Sequence, residues 1–145
     1  MTYVVKDFMS GDIVTVEVEM SVAEASKKIA ENPRGYAIAL DGGQPAGMVT
    51  EQDVVKKVVA EGLDPSETKV SQVMSSPLIT VDLEEELMKA AEIMKNKNVR
   101  KLPVVQDGII YGVITARDIT DHFSDYVDKT MRDIIRWSPL GFWKT

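Results

Sequence analysis

The chain has no cysteine among its 145 residues, which removes disulfides and thiolate metal sites from consideration. It has one histidine, His122, so no His-based metal cluster or catalytic triad can be built from this chain alone. No apolar run approaches the roughly 18–20 residues that span a bilayer. The opening MTYVVKDFMSGD lacks the basic start and apolar stretch of a secretory signal. A cytoplasmic protein without membrane contact is expected. Positive charge is also scarce: 17 Lys and Arg against 23 Asp and Glu leave a net charge of −6. That balance disfavours a general nucleic-acid binder, which needs clustered cations for the phosphate backbone, but it permits one small anion in a locally basic cleft. No Walker loop, nucleophile–base pair or pair of catalytic acids is legible. The run Glu84-Glu85-Glu86 falls at a predicted helix start, where carboxylates are electrostatically favoured. No catalytic or metal-ligating residue is assigned, no cofactor is required, and an enzyme is not expected.

What is present is a duplication. The phrase GMVTEQD, Gly47 to Asp53, returns as GVITARD, Gly112 to Asp118. Shifted by 65 positions, Val5 to Val54 aligns without a gap on Val70 to Ile119, and 11 of the 50 pairs are identical. Most other pairs keep apolar opposite apolar, a quality of match that defines an internal repeat. Each copy predicts a strand (DIVTVEV or PLITVDL), then a helix with apolar residues on one face. Those residues are Val22, Ala25 and Ile29 in one copy and Leu87, Ala90 and Met94 in the other, with Ser21 placed to start the first helix. YAIAL or KLPVV, a glycine turn at Gly43 or Gly108, and AGMVT or YGVIT make a hairpin. A second helix opens at Thr50 or Thr115.

The expected fold class is therefore α+β: two tandem β-α-β-β-α units packed about a pseudo-two-fold axis, since a unit of about 55 residues buries too little surface alone. The expected boundaries are 3–60 for the first repeat, 61–69 for the linker, 70–123 for the second repeat and 124–145 for a C-terminal helix and tail. In that tail Val127, Met131, Ile134 and Ile135 predict a short amphipathic helix, ended by Pro139. Leu140, Phe142 and Trp143 beyond it either fold back on the chain's own core or dock on a second subunit or protein partner. The methionines, Met9, Met74, Met88 and Met94 among them, are expected as core filler.

The repeated Thr-x-x-Asp has two readings. As structure, it is a helix cap, with threonine at the N-cap and an acid in the first turn. Aspartate, however, reaches back less well than the usual Glu or Gln. As chemistry, a helix start with free N–H groups, a hydroxyl and a carboxylate suits the sugar and phosphate of a nucleotide.

The motifs MSSPLITV, NVRKLPVV and GVITARDI, with first-copy versions MSGDIVTV, NPRGYAIAL and GMVTEQDVV, resemble the cystathionine-β-synthase domain, called CBS. Such domains occur in pairs as Bateman modules, and the resemblance covers about residues 3 to 123. It implies a regulatory module binding adenosine-containing ligands (AMP, ADP, ATP or S-adenosylmethionine) in clefts between the repeats, and a homodimer. It implies that the motif aspartate holds ribose, that the threonine approaches sugar or phosphate, and that the base lies against the first strand of the opposite repeat. One cleft would then join Thr115 and Asp118, plus Arg100 and Lys101 for phosphate, with Ile13 and Val14 near the base. The other would join Thr50 and Asp53 with Leu78, Ile79 and Val99. Arg100 and Lys101 align with Gly35 and Tyr36, so the Asp53 cleft is expected to lack two cations and to hold the more apolar base pocket, while the Asp118 cleft is expected to prefer phosphorylated ligands. Asp12 and Arg34 are expected at the base side of the Asp118 cleft. The alternative function is a structural dimerisation or partner-binding module with empty clefts.

Overall fold

The computed structural model describes residues 3–123; the readings made for Val127 to Trp143 lie outside them. A single 3-10 turn, Val5–Asp7, precedes strand β1 (Thr15–Glu17), helix α1 (Val22–Ala30), and the hairpin β2 (Tyr36–Asp41) and β3 (Gln44–Thr50). Helix α2 (Glu51–Val54) continues into a wider π turn, Val55–Val59. The second half runs through α3 (Val70–Val73), α4 (Leu87–Lys97), β4 (Lys101–Gln106), β5 (Ile109–Thr115) and helix α5, residues 116–123. Helix, strand and hairpin thus recur in the expected order. Among the described residues no helix is long and apolar enough to cross a membrane.

Local chemistry explains the repetition. Ser21 accepts a hydrogen bond from Glu24 N at 3.1 Å and starts α1, satisfying one of the free donors of the first turn. The apolar stripe of α1 buries Val22, Ala25 and Ile29, and that of α4 buries Leu87, Ala90 and Met94. The hairpin turns use positive φ twice in succession, at Gly42-Gly43 (58° and 83°) and at Asp107-Gly108 (53° and 76°). Two adjacent left-handed residues are what a tight two-residue hairpin requires.

The first strands depart from expectation. DIVTVEV keeps only three strand residues, with Thr15 to Glu17 parallel to Ile38 to Leu40. PLITVDL makes only an isolated parallel bridge, Val81 to Val104. The reason lies on the partner strand. In the first copy Ile38 N donates to Val14 O at 2.9 Å. The position aligned with Ile38 is Pro103, which has no N–H to donate, so the ladder stops there.

The two halves exchange their leading segments. Val5 N donates to Glu85 O and Lys6 N to Leu83 O. Sixty-five residues on, Val70 N donates to Met20 O and Ser71 N to Val18 O, all between 2.9 and 3.0 Å. Val5 accordingly lies in the core of the second repeat with Leu87, Leu102 and Ile114, with Phe8 and Met9 packed against it. Val70 and Val73 lie in the core of the first with Val16, Ile29 and Val49. Each segment then crosses to the second strand of a hairpin: Ser10 pairs with Val113 in β5 and Ser75 with Met48 in β3. At those crossings stand Gly112 and Gly47. A Cβ on Gly47 would lie 2.6 Å from Ser75 O and 2.8 Å from Met74 Sδ, and one on Gly112 would run into the carbonyl of Ser10. A third cluster, Tyr36, Ile38, Met48 and Val113, with Ile13, Leu78 and Ile110 against it, joins the repeats.

Candidate ligand-binding site

The strand-to-helix corners at Thr50 and Thr115 are complete caps. Thr50 N donates to Asp53 Oδ2 at 2.9 Å and Asp53 N donates to Thr50 Oγ1 at 3.1 Å. In the second copy Thr115 N donates to Asp118 Oδ2 at 2.9 Å and Asp118 N to Thr115 Oγ1 at 3.0 Å. Aspartate therefore does reach back, contrary to the expectation drawn from its length. Each box satisfies two donors of a helix start. The corners differ in their second carboxylate oxygen. Asp53 Oδ1 faces Lys57 Nζ at 3.2 Å. The position aligned with Lys57 is His122, whose ring packs edge-on against Phe8 at 4.3 Å between centroids. Among the described residues no carboxylate lies in salt-bridge range of the histidine.

Capping does not fill the hollows. In front of the first corner is a cavity of about 660 Å³, lined by Thr50 and Asp53 and by the apolar side chains of Met48, Leu78, Ile79 and Val99. All five residues expected together on this side are brought together. Lys56, Arg100 and Lys101 line it as well, which corrects the expectation that this cleft lacks Arg100 and Lys101. Lys101 is the first residue of β4 and Arg100 stands just before it, and each lines both cavities; an alignment sees only that Gly35 and Tyr36 hold the equivalent places. Lys56 was not singled out, although its place one turn beyond Asp53 on the same helix was the available signal.

In front of the second corner is a cavity of about 640 Å³, lined by Thr115, Asp118, Arg100 and Lys101 together with Arg34, Tyr36 and Arg117. Ile13 and Val14 do not join it. Val14 lines a third hollow of about 430 Å³ with Asp12, Thr15 and Lys28, and Ile13 packs against the cluster around Tyr36. Of the residues expected on the base side of the Asp118 cleft, Arg34 lines that cavity, while Asp12 and Val14 line a separate space.

Tyr36 was overlooked by sequence reading. Its side chain is fully buried, and its hydroxyl has no hydrogen-bond partner. Lys101 Nζ stands 5.4 Å from its ring centroid, within cation–π range. Burial pushes the phenol above its ordinary value of 10.0. The nearby Arg34 guanidinium draws it partly back, and Asp118 and Asp12 push it further up. Arg34 is thus the cation that acts most strongly on the phenol. Among the described residues no cluster of three or more His, Asp or Glu could hold a metal ion.

Comparison with known proteins gives this arrangement its class. The CBS domain model matches residues 5–60 and 70–125, so the chain belongs to the CBS domain family and carries the domain twice. Among curated relatives, an uncharacterized protein of Methanopyrus kandleri is 34% identical over 110 residues, covering 74% of this chain and 56% of that protein. The CBS domain-containing protein YhcV of Bacillus subtilis is 29% identical over 115 residues, covering 79% and 81% of the two chains. The chain spans about half, or less, of the length of the archaeal relatives it matches first. Among solved structures, a hexameric CBS-CP12 protein from bloom-forming cyanobacteria superposes with a TM-score of 0.78 at 30% identity, covering 88% of this chain and 75% of that one.

Proposed function

We infer that the protein is a cytoplasmic regulatory module that senses adenosine-containing ligands, AMP, ADP, ATP or an S-adenosylmethionine-like compound, in the cavities between its CBS repeats. The observation that carries this reading is the roughly 660 Å³ cavity at the Thr50–Asp53 corner, which sets a hydroxyl and a carboxylate between an apolar wall and three cations. The apolar wall of Leu78, Ile79 and Val99 suits a base. Asp53 suits ribose hydroxyls in exchange for its 3.2 Å pairing with Lys57, and Lys56, Arg100 and Lys101 suit phosphate. The module works by binding rather than catalysis: a ligand that prefers one arrangement of the repeats shifts the population toward it.

A second copy of the chain is the expected partner. The face carrying Val55, Val59 and Leu63 leaves those side chains 58%, 66% and 48% exposed, an apolar stripe of the kind that association covers. The same stripe supports the second reading, a structural dimerisation or partner-binding module without a small-molecule ligand. A thermal-shift panel separates the two. A ligand at 100-fold its Kd stabilises the fold by about 2.7 kcal/mol, and a flat response to every adenosine compound would leave the structural reading.

A further inference from the structure

The internal repeat makes each cavity a control for the other. The apolar wall of the Asp53 cavity includes Met48, Pro77, Leu78, Ile79, Val99 and Pro103, and it is continuous with the cationic end at Arg100 and Lys101. Shifted by 65 residues, Pro77 becomes Asp12 and Ile79 becomes Val14. Both of these line the separate 430 Å³ hollow and not the Asp118 cavity. One continuous space in one half is therefore two spaces in the other.

The divider can be named. Pro33 lines both spaces, where the first cavity has Asn98, a residue at positive φ. Arg34 replaces Val99, and Tyr36 replaces Lys101. The Tyr36 hydroxyl feels Asp118, on one side of the divider, and Asp12, on the other. Its ring is locked in the cluster that joins the repeats. A rigid imino ring, a long guanidinium and a fixed phenol thus stand where the other half has an amide, a short branched side chain and a flexible ammonium.

On the Asp118 side charged groups stand around Pro33, Tyr36 and Ala116. Arg34, Arg100, Lys101 and Arg117 face Asp118 and Asp121, four cations against two carboxylates. Among the described residues no carboxylate lies within salt-bridge range of Arg34, Arg100 or Lys101, while Arg117 pairs with Asp121 at 3.6 Å. A purine needs an apolar slab on at least one face; Leu78 and Ile79 supply it in the Asp53 cavity, whereas their counterparts Ile13 and Val14 lie outside the Asp118 cavity. An anion needs unpaired cations, and here they are gathered.

We propose that Pro33, Arg34 and Tyr36 form a selectivity partition, so that the Asp118 cavity takes a phosphorylated ligand lacking a base while the Asp53 cavity alone takes the nucleoside. The second clause rests on the nucleotide reading above; the first does not.

The test is a titration followed by the backbone amides of Asp53 and Asp118, with AMP and ribose 5-phosphate as probes. AMP is expected to move the Asp53 amide at concentrations about tenfold or more below those that move Asp118, and ribose 5-phosphate is expected to move Asp118. Arg34→Val, at an exposed position, installs the first cavity's residue and is expected to strengthen AMP at Asp118 by about fivefold or more. AMP reaching both amides equally in the unaltered protein would overturn the partition, as would Arg34→Val leaving AMP at Asp118 unchanged. Ribose 5-phosphate failing at Asp118 would overturn the anion assignment. AMP moving neither amide while ribose 5-phosphate moves Asp118 would sink the nucleotide reading and leave the anion assignment standing.

Discussion

Replacing Gly47 by alanine tests why the repeated phrase begins with glycine. The added methyl would sit 2.6 Å from Ser75 O and 2.8 Å from Met74 Sδ. The sulfur belongs to a flexible side chain and can move aside. The carbonyl cannot, because it accepts from Met48 N at 3.1 Å while Ser75 N donates to Met48 O at 2.8 Å. Relief requires the crossing segment to withdraw from β3. Overpacking of this kind costs about 1–3 kcal/mol, and weakening one of the two bridging hydrogen bonds adds about 0.5–1.5 kcal/mol. The expected loss is about 2–4 kcal/mol, a fall of about 6–12 °C in Tm for a chain of this size. Gly112→Ala should behave alike, since its methyl meets the Ser10 backbone. Gly11 supplies the control: a methyl there meets only Tyr111 O, at 3.8 Å, so Gly11→Ala should be neutral or stabilising by up to about 1 kcal/mol. Urea and thermal unfolding of the three variants decide the matter. Equal stability of Gly47→Ala and Gly11→Ala would refute the argument that the repeats cross there under steric constraint.

Thr115→Ala removes the acceptor of Asp118 N and should cost about 1 kcal/mol by denaturant unfolding; no change would mean the corner is not a working cap. Tyr36→Phe removes a buried hydroxyl without a partner, so the unliganded protein should keep or gain stability; a loss above about 1 kcal/mol would show a bond that the geometry lacks. The same variant has a pH signature. With the folded phenol raised above the ordinary 10.0, the unfolded chain releases its proton first. The contribution is therefore complete below pH 10 and is lost as pH rises from there through the folded value. Tyr36→Phe should flatten that alkaline decline. Arg100→Ala takes a cation from both cavities and should weaken phosphorylated ligands about 10- to 100-fold by calorimetry; unchanged affinity would remove Arg100 from the site.

Much of this architecture was legible without coordinates, because it depends on local rules applied twice. The 65-residue alignment, the apolar faces of α1 and α4, the turn glycines Gly43 and Gly108 and the corners at Thr50 and Thr115 all follow from spacing, chirality and capping. Sequence by itself therefore determined a duplicated α+β chain and placed two hydroxyl–carboxylate corners at matching positions.

Only the folded chain decided what surrounds those corners, since cavity walls come from residues distant in sequence whose packing no periodicity encodes. Exchange of the leading segments put Gly47 and Gly112 at backbone crossings. The missing N–H of Pro103 shortened one sheet. Arg100 and Lys101 came to line two cavities at once, and Ile13 and Val14, expected to receive a base, came to lie outside the Asp118 cavity. Alignment pairs each residue with its counterpart in the other repeat, but a cavity is bounded by residues of both, so small differences between the copies add up to two unlike hollows.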